Sequence, residues 1–245
     1  MKGVILAGGM ATRLQPLTRV TNKHLLPIYN KPMIYYPLEA MHRAGVEEVL
    51  LSTAPDHAGH FANLLGAGEE FNLKLYYAIQ KNPKGGIAQA IALAKEFAGN
   101  EPILVILGDN IFNFDLRPSV KKMTELKKGA MIFGIHLNTD SKQYGVIEVD
   151  KSGKVLSLEE KPAHPKSDIA QTGIYMYDSR VFSFIESLKP SLRGELEVTD
   201  LNNCYLKDGS LHCQIIDWWI DAGTSFDELL KANNNVAQLV QEKKL

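Results

Sequence analysis

Two glycines and an arginine follow the first apolar stretch of the chain. Val4 to Ala7 are apolar, Gly8 and Gly9 come directly after them, and Arg13 lies just beyond. Glycines let backbone N–H groups approach a phosphate closely, and arginine offers a planar charged fork to phosphate oxygens. The string matches neither G-x-G-x-x-G nor G-x-x-x-x-G-K-[ST], so neither the dinucleotide fingerprint nor the ordinary P-loop applies. These residues predict a phosphate-binding loop of another kind or, taken alone, a glycine turn that ends a strand.

A second cation follows at Lys23, in a stretch that ends at Pro27. Two cations near one glycine-containing loop indicate a ligand that carries several phosphates, because each cation can pair with separate anionic oxygens. This continuation favours the phosphate-binding interpretation over the simple turn.

Two aspartates supply a different chemistry. Asp109 follows the apolar run 103–107, and Asp221 lies in the segment 218–224, Trp-Trp-Ile-Asp-Ala-Gly-Thr. Ligands of an open parallel sheet bind beyond the carboxyl ends of its strands, and Mg²⁺ prefers one or two carboxylates together with phosphate oxygens. Either aspartate alone is more commonly a turn residue, but the pair and the glycine loop together predict a Mg²⁺ site.

The elements that must position these residues alternate in the first half of the chain. Strand-like runs are predicted at 2–6, 49–52, 73–78, 103–107 and 130–135, and helices at 33–44, 57–65, 87–97 and 118–127. This alternation predicts parallel strands joined by right-handed helical crossovers. Near-continuous apolar strands fit a sheet that is covered on both faces.

The second half has shorter spacing. Hairpin-like strands are predicted within 146–177, then helices at 179–188 and 198–207, a strand at 212–216 and a helix at 225–240. We therefore predict an α/β fold with a Rossmann-like, mostly parallel sheet flanked by helices and a mixed back half. Residues 1–245 are expected to form one domain, with halves at about 1–136 and 137–245.

Composition excludes several function classes. The chain has 27 basic and 28 acidic residues and a formal net charge of -1, so no global field attracts nucleic acid or a membrane. Cys204 and Cys213 are too few for a disulfide framework and lack metal-ligand spacing. No stretch approaches the roughly 20 apolar residues of a membrane helix. We expect a soluble cytoplasmic protein without a nucleic-acid or membrane partner.

Three consecutive motifs resemble the sugar-phosphate nucleotidylyltransferases. That family carries G-G-x-G-T-R-L, K-x-L-L-P and K-P-M-I-Y-Y-P, and matching strings stand here at 8–14, 23–27 and 31–37. The resemblance covers nearly the whole chain. Ala11 replaces the family's third glycine, which costs about 1 kcal/mol or more if this position needs a positive φ. Either the loop is right-handed at Ala11 or it holds phosphate less closely.

The resemblance implies a nucleotide site in the front half. Arg13 and Lys23 would bind the triphosphate, and the amide of Gln80, with a donor and an acceptor, would pair with a pyrimidine. The stretch from Gln80 to Gly86 is one residue longer than the family form, which leaves open whether Gly85 or Gly86 meets the ligand. The implied nucleotide-binding residues are Leu6, Gly8, Gly9, Thr12, Arg13, Lys23, Gln80, Pro83, Gly85, Gly86 and Asp109.

The resemblance also implies a sugar-phosphate site in the back half. The segments 144–146, 158–162 and 193–200 match the family's Y-G-V, E-E-K-P and R-G-E-L-E-[IV]-T-D. Glu160 would accept hydrogen bonds from sugar hydroxyls and Lys161 would pair with the sugar phosphate. Gln171 stands where the family usually has valine, at a contact thought to use backbone. The implied sugar-phosphate residues are Asn110, Gly145, Glu160, Lys161, Gln171 and Thr172.

The implied reaction joins glucose 1-phosphate and dTTP into dTDP-glucose and pyrophosphate by direct in-line attack. Asp109 and Asp221 would hold Mg²⁺, and the implied catalytic residues are Arg13, Lys23, Asp109 and Lys161. A homo-oligomer is expected. Longer members continue into helices that help form a regulatory nucleotide site, so the resemblance is to a short form in which feedback inhibition is not expected.

Three alternatives stay open. The enzyme could use UTP or another sugar 1-phosphate, because Gln80 does not by itself detect the thymine methyl group. Ala11 favours a non-catalytic protein that senses a sugar nucleotide. The presence of Asp109, Asp221, Lys161 and Arg13 together argues against this alternative, because a sensor would need neither metal-binding carboxylate. A dehydrogenase is disfavoured because G-x-G-x-x-G is missing.

Overall fold

The computed structural model describes residues 1–137 and 141–244. The strands of this part are β1 (Lys2–Ala7), β2 (Pro27–Ile28), β3 (Lys31–Pro32), β4 (Glu48–Thr53), β5 (Lys74–Ile79), β6 (Ile103–Leu107), β7 (Asn110–Phe112), β8 (Ala130–His136), β9 (Gly145–Val149), β10 (Val155–Glu160), β11 (Ile169–Tyr177), β12 (Leu211–Ile215) and β13 (Trp219–Asp221). The α-helices are α1 (Tyr35–Arg43), α2 (Ala58–Leu65), α3 (Ile87–Ala92), α4 (Lys95–Ala98), α5 (Arg117–Leu126), α6 (Val181–Ser187), α7 (Val198–Lys207) and α8 (Phe226–Gln241).

Nine of the described strands form one mixed sheet. Its order is β10-β9-β11-β6-β1-β4-β5, with β8 beside β11 and β12 beside β8. β1 pairs in parallel with β4 and β6, and β4 pairs in parallel with β5. The parallel arrangement predicted for the front half is therefore confirmed for these four strands.

The predicted strand at 130–135 does not continue that parallel series directly. β11 lies antiparallel between β6 and β8, with Tyr175 opposite both Val105 and Ile132. All residues of β11 are buried, as expected for a strand covered on both faces. Because β11 belongs to the back half and β6 to the front half, one sheet crosses the predicted boundary. This continuity supports our proposal that the two halves form a single domain.

Helices cover both faces of the sheet with apolar side chains. On one face, Leu38 of α1, Phe61 of α2 and Met123 of α5 belong to one buried cluster. On the other face, Ile91 of α3 and Leu201 of α7 belong to a second buried cluster. This two-sided cover explains why β1 and β6 read as apolar runs rather than as alternating sequences.

The helix predicted at 87–97 is interrupted. Backbone N–H groups of Leu93 and Ala94 bond to the carbonyls of Ala90 and Ile91, three residues back, at 3.3 and 2.9 Å. This tighter turn ends α3 at Ala92, and α4 begins at Lys95. The helix predicted at 198–207 has these same bounds in the structure, and the ends of the other predicted helices differ by at most two residues.

Two short ribbons were not predicted. β2 pairs with β3, and β7 pairs antiparallel with β13 so that Asp221 lies opposite Asn110. Ile220 is 3% exposed and packs in a separate apolar cluster with Ala232 and Val236 of α8. Helix α8 therefore anchors β13 against the carboxyl end of the main sheet, where Asp109 lies.

No helix in the described ranges combines the length and apolar character needed to cross a membrane.

We predict that Ile220→Ala lowers the free energy of unfolding by about 2–5 kcal/mol, because it leaves a cavity between β13 and α8. Ile215→Ala is the matched control, since Ile215 is 39% exposed, and its cost should stay below about 1 kcal/mol. Urea denaturation of both variants measures the difference. Equal losses would show that the cluster around β13 contributes no special stability.

Candidate functional site

Two cavities lie next to each other at the carboxyl end of the parallel strands. The first, of about 380 Å³, is lined by the loop after β1 and by the start of α3. The second, of about 290 Å³, is lined by residues of β9, β10 and β11. Both cavities are bordered by Arg13 and Asp221. A ligand in one cavity can therefore reach a ligand in the other at these two side chains.

The first cavity gathers the predicted nucleotide-binding residues with one exception. It is lined by Leu6, Gly8, Gly9, Thr12, Arg13, Lys23, Gln80, Pro83, Gly86 and Asp109, whereas Gly85 is not among its lining residues. Gly86 has φ 89°, and a Cβ built there would lie 2.8 Å from the backbone nitrogen of Leu196. Of the two glycines that the sequence left open, Gly86 faces the cavity.

Gly8 is needed for the approach of Gln80. A Cβ on Gly8 would overlap the side-chain Oε1 of Gln80 and lie 3.1 Å from its Cδ. Gln80 is 6% exposed, and its Nε2 donates to the carbonyl of Asn82 at 3.1 Å. The glycine therefore lets a fixed amide stand against the backbone of the loop, next to the first cavity.

Ala11 adopts the left-handed conformation, with φ 47° and ψ 39°. Its carbonyl accepts hydrogen bonds from the backbone nitrogen of Leu14 at 3.1 Å and from the hydroxyl of Thr18 at 2.8 Å. These bonds hold a conformation that costs alanine roughly 1–2 kcal/mol. The loop thus keeps the shape that a glycine would take, and a one-turn 3₁₀ helix at Thr12–Leu14 presents Arg13 to both cavities.

Lys23, Asp109 and Asp221 form a partly buried charge cluster next to the place where the cavities meet. The ammonium of Lys23 pairs with Oδ2 of Asp109, and the two side chains are 16% and 8% exposed. A Cβ on Gly223 would lie 2.7 Å from Nζ of Lys23. The backbone nitrogen of Gly223 donates to Oδ1 of Asp221 at 3.2 Å. The segment after β13 can therefore close over the cluster only because it has no side chain at residue 223.

The pKa values of Lys23, Asp109 and Asp221 indicate which charge the cluster would bind. Burial, reinforced by the charge of Asp109, raises the pKa of Asp221 to about 8. Burial alone would raise the pKa of Asp109 as well, but the Lys23 ammonium holds it well below its usual range. The two carboxylates in turn outweigh burial and raise the pKa of Lys23. Two carboxyl groups thus share one ammonium, and the unbalanced negative charge favours binding of a further cation. Carboxylate oxygens are ligands that suit a divalent metal ion.

His24 lies beside this cluster but is held by other groups. Its Nδ1 lies 2.6 Å from Oδ1 of Asn22, whose Nδ2 donates to the carbonyl of Ala7 at 3.2 Å. Burial, together with the Lys23 charge, lowers the pKa of His24 to about 3. The imidazole is therefore neutral and ties the segment of Lys23 to the end of β1.

The second cavity is lined by all six predicted sugar-phosphate residues, Asn110, Gly145, Glu160, Lys161, Gln171 and Thr172. Oε2 of Glu160 accepts a hydrogen bond from the hydroxyl of Thr199 at 2.5 Å. Nζ of Lys161 lies 3.9 Å from Oε1 of Glu160. This cavity therefore combines a carboxylate acceptor with a cation, which are the groups that a sugar phosphate needs.

Asn110 links the two cavities. Its Oδ1 accepts hydrogen bonds from the indole of Trp219 at 2.6 Å and from the backbone nitrogen of Gly173 at 2.8 Å. Its Nδ2 donates to Oδ1 of Asp109 at 3.1 Å. One amide thus fixes the orientation of Asp109 from the side of the second cavity.

The residues of the second cavity that the sequence did not assign include Tyr175, Arg193 and Trp219. Arg193 donates to Oε2 of Glu197 at 2.8 Å and approaches Oε1 of Glu160 at 3.4 Å. Arg193 lies in the segment 193–200, which matched a family motif, so that match was a usable signal for it. Trp219 could have been predicted from its position two residues before Asp221. Tyr175 lies within an apolar strand, whose sequence does not indicate a ligand contact.

A sequence profile for the family described as nucleotidyl transferase matches residues 2–239. The chain belongs to this family.

Relatives of this nucleotidyl transferase have more specific names. A "glucose-1-phosphate thymidylyltransferase" of Neisseria gonorrhoeae is 47% identical, over 98% of this chain and 84% of the relative. One of Mycobacterium tuberculosis is 42% identical, over 100% of this chain and 85% of the relative. The solved structure of a "putative glucose-1-phosphate thymidylyltransferase" from Bacillus anthracis, in complex with a sucrose, is 46% identical with a TM-score of 0.90. The match covers 96% of this chain and 94% of the Bacillus anthracis chain.

A UDP-glucose pyrophosphorylase complexed with UDP-glucose has a TM-score of 0.85 at 23% identity, over 97% of this chain and 98% of that one. At this identity the likeness concerns the fold alone. The predicted fold class is confirmed by these neighbours and by the mixed, mostly parallel sheet.

We predict that Ala11→Gly raises the free energy of unfolding by about 1 kcal/mol, because glycine adopts the left-handed conformation without a steric cost. Ala54→Gly is the matched control, since Ala54 has φ -70° and ψ 152°, and it should lower stability by roughly 0.5–1 kcal/mol. Thermal and urea unfolding of the two variants measure the sign of each change. A loss of stability in Ala11→Gly would contradict the left-handed conformation.

Proposed function

We propose that this nucleotidyl transferase moves a thymidylyl group from dTTP to glucose 1-phosphate and releases pyrophosphate, forming dTDP-glucose. The observation that carries the proposal is the junction of two cavities at Arg13 and Asp221, with Lys23 and Asp109 on the side of the first cavity. Support for the substrates comes from relatives at 42–47% identity that are named for this reaction.

In this proposal the nucleotide occupies the first cavity. Its base lies at Gln80, whose amide presents both a donor and an acceptor to a pyrimidine edge. Its phosphates lie along the loop from Gly8 to Arg13, where the backbone can approach them closely. Arg13 makes no ion pair or side-chain hydrogen bond with any described residue, so its guanidinium is available to the phosphates.

Glucose 1-phosphate occupies the second cavity. Glu160 accepts hydrogen bonds from sugar hydroxyls, and Lys161 pairs with the sugar phosphate. Lys161 has φ 43°, and its backbone nitrogen donates to the carbonyl of Tyr144 at 3.1 Å, which fixes where its side chain leaves the strand. The phosphate of the sugar then points toward Arg13 and Asp221, which border both cavities.

The reaction needs no nucleophile from the protein, because the sugar phosphate is itself an anion with oxygens that can attack phosphorus. Holding the two substrates in line can contribute up to about 7–11 kcal/mol to lowering the barrier. Lys23 and Arg13 stabilise the negative charge on the departing pyrophosphate. Lys161 holds the attacking phosphate in line with the bond that breaks.

Enzymes of this family generally need a divalent metal ion. We propose that the ion is Mg²⁺ and that Asp109 and Asp221 hold it. When bound, Mg²⁺ would neutralise phosphate charge that otherwise keeps the two anions apart. The residues fit this ion, because two carboxyl groups face one site and a cation there would favour the ionised form of Asp221, whose pKa is otherwise raised to about 8.

The sensor alternative loses its main support. It rested on Ala11 as a residue that loosens the phosphate loop, and Ala11 instead takes the left-handed conformation. A homo-oligomeric state and a cytoplasmic location stay predictions.

The test is pyrophosphate release by the purified protein with Mg²⁺ and glucose 1-phosphate, with dTTP and UTP compared. We expect release with dTTP and a rate about 10²–10³ lower for Asp109→Asn, because one charged group at the reacting centre is lost. Asp115→Asn is the matched control, since Asp115 pairs with Arg117 at the surface and borders neither cavity. Its rate should equal that of the wild type.

Other outcomes would replace the proposal. Release with UTP but not dTTP would make the protein a uridylyltransferase on the same site. No release with either nucleotide, together with calorimetric binding of dTDP-glucose, would make it a sensor.

A further inference from the structure

Gln171 stands at the end of a buried chain of hydrogen bonds that reaches the second cavity. The hydroxyl of Tyr177 donates to Oδ1 of Asn202 at 2.7 Å, and Nδ2 of Asn202 donates to Oε1 of Gln171 at 3.0 Å. Tyr177 and Asn202 are 0% exposed, and Gln171 is 7% exposed. Buried polar groups in such a chain are held in one arrangement, because breaking a link leaves a donor or acceptor unpaired.

This chain sets the orientation of the Gln171 amide. Because Oε1 accepts from Asn202, the Nε2 group points to the other side. On that side lies Tyr175, close enough for the Gln171 amide to lower the pKa of its phenol against the larger, opposite effect of burial. An amide nitrogen carries two hydrogens, so Nε2 can donate to a ligand even if one hydrogen faces Tyr175. Gln171 and Tyr175 both border the second cavity.

The space in front of Nε2 is kept open by a glycine. A Cβ built on Gly145 would lie 3.5 Å from Nε2 of Gln171 and 3.1 Å from Oγ1 of Thr199. The Thr199 hydroxyl in turn donates to Oε2 of Glu160. Gly145 therefore lies between an amide donor and a carboxylate acceptor, and it contributes no side chain that would separate them.

A hydroxyl group is complementary to this pair, because it can donate to one neighbour and accept from another. We infer that Nε2 of Gln171 donates a hydrogen bond to one hydroxyl of the hexose 1-phosphate and so makes Gln171 a sugar-specificity residue. The inference rests on the proposed function. A site with a buried donor rejects a substrate that lacks the matching oxygen, because the donor is then left unpaired. Asn202 and Tyr177 act as positioning residues that keep the amide from turning over.

The experiment compares glucose 1-phosphate with its monodeoxy analogues, using dTTP and the full chain. The wild type should use one of these analogues about 10- to 100-fold less well than glucose 1-phosphate, measured as kcat/KM. Gln171→Met keeps the length of the side chain but removes the amide. This variant should use glucose 1-phosphate and that analogue almost equally, with the KM for dTTP unchanged.

The ratio of the two kcat/KM values does not depend on the fraction of folded enzyme, because both substrates are measured on the same preparation. Gln214→Met is the matched control, since Gln214 of β12 accepts a hydrogen bond from Ser119 at 2.8 Å and borders neither cavity. It should keep the wild-type ratio. Asn202→Leu should reduce the ratio while the KM for dTTP stays unchanged, because the amide then loses its fixed orientation.

The inference is overturned if Gln171→Met discriminates against every analogue as strongly as the wild type does. It is also overturned if the wild type uses all the analogues as well as glucose 1-phosphate. Failure of the proposed function looks different, because the wild type would then release no pyrophosphate from dTTP and glucose 1-phosphate, and both conclusions would fall together.

Discussion

The structure depends on one costly arrangement, in which the buried Asp109 and the half-buried Asp221 carboxylates surround a single ammonium, that of Lys23. Two like charges in a low-dielectric site repel each other, and each carboxylate also loses its hydration. One ammonium balances only one of them, which is why the pKa of Asp221 rises to about 8 while that of Asp109 falls. A site with this imbalance is destabilising when empty of cations and attractive to a divalent ion. The proposed function uses that attraction.

The fold brings the two carboxylates together by separate means. Asp109 follows β6, whose residues are held in the middle of the sheet between β1 and β11. Asp221 ends β13, which has no place in that sheet and is held by its pairing with β7 and by the packing of Ile220 against α8. Two residues next to the site are constrained in other ways. Residue 223 must lack a side chain, because a Cβ there would overlap the Lys23–Asp109 pair. Ala11 takes a left-handed backbone conformation that is unfavourable for alanine.

Elements of the fold that produce a recognisable pattern in a short stretch of sequence could be predicted. The runs 2–6 and 103–107 are apolar at nearly every position, so β1, β6 and the crevice after them could be predicted. β11 could not be placed, because its apolar sequence says nothing about whether its neighbours run parallel or antiparallel. β13 has three residues, too few for a periodic pattern. Gln171 was predicted at the sugar site through its backbone, but a role for its side chain could not be predicted, because its partner Asn202 is distant in the chain and Tyr177 resembles an ordinary strand residue.

The most direct test of the central claim is an anomalous-scattering map of crystals grown with dTDP-glucose and Mn²⁺, which replaces Mg²⁺ at oxygen sites. We predict one strong peak between Asp109 and Asp221, about 2 Å from a carboxylate oxygen of each. A peak bound to the diphosphate alone, with both carboxylates outside coordination distance, would contradict it. Asp109 and Asp221 would then be a buried charge cluster of the protein itself and not the place where the metal is held.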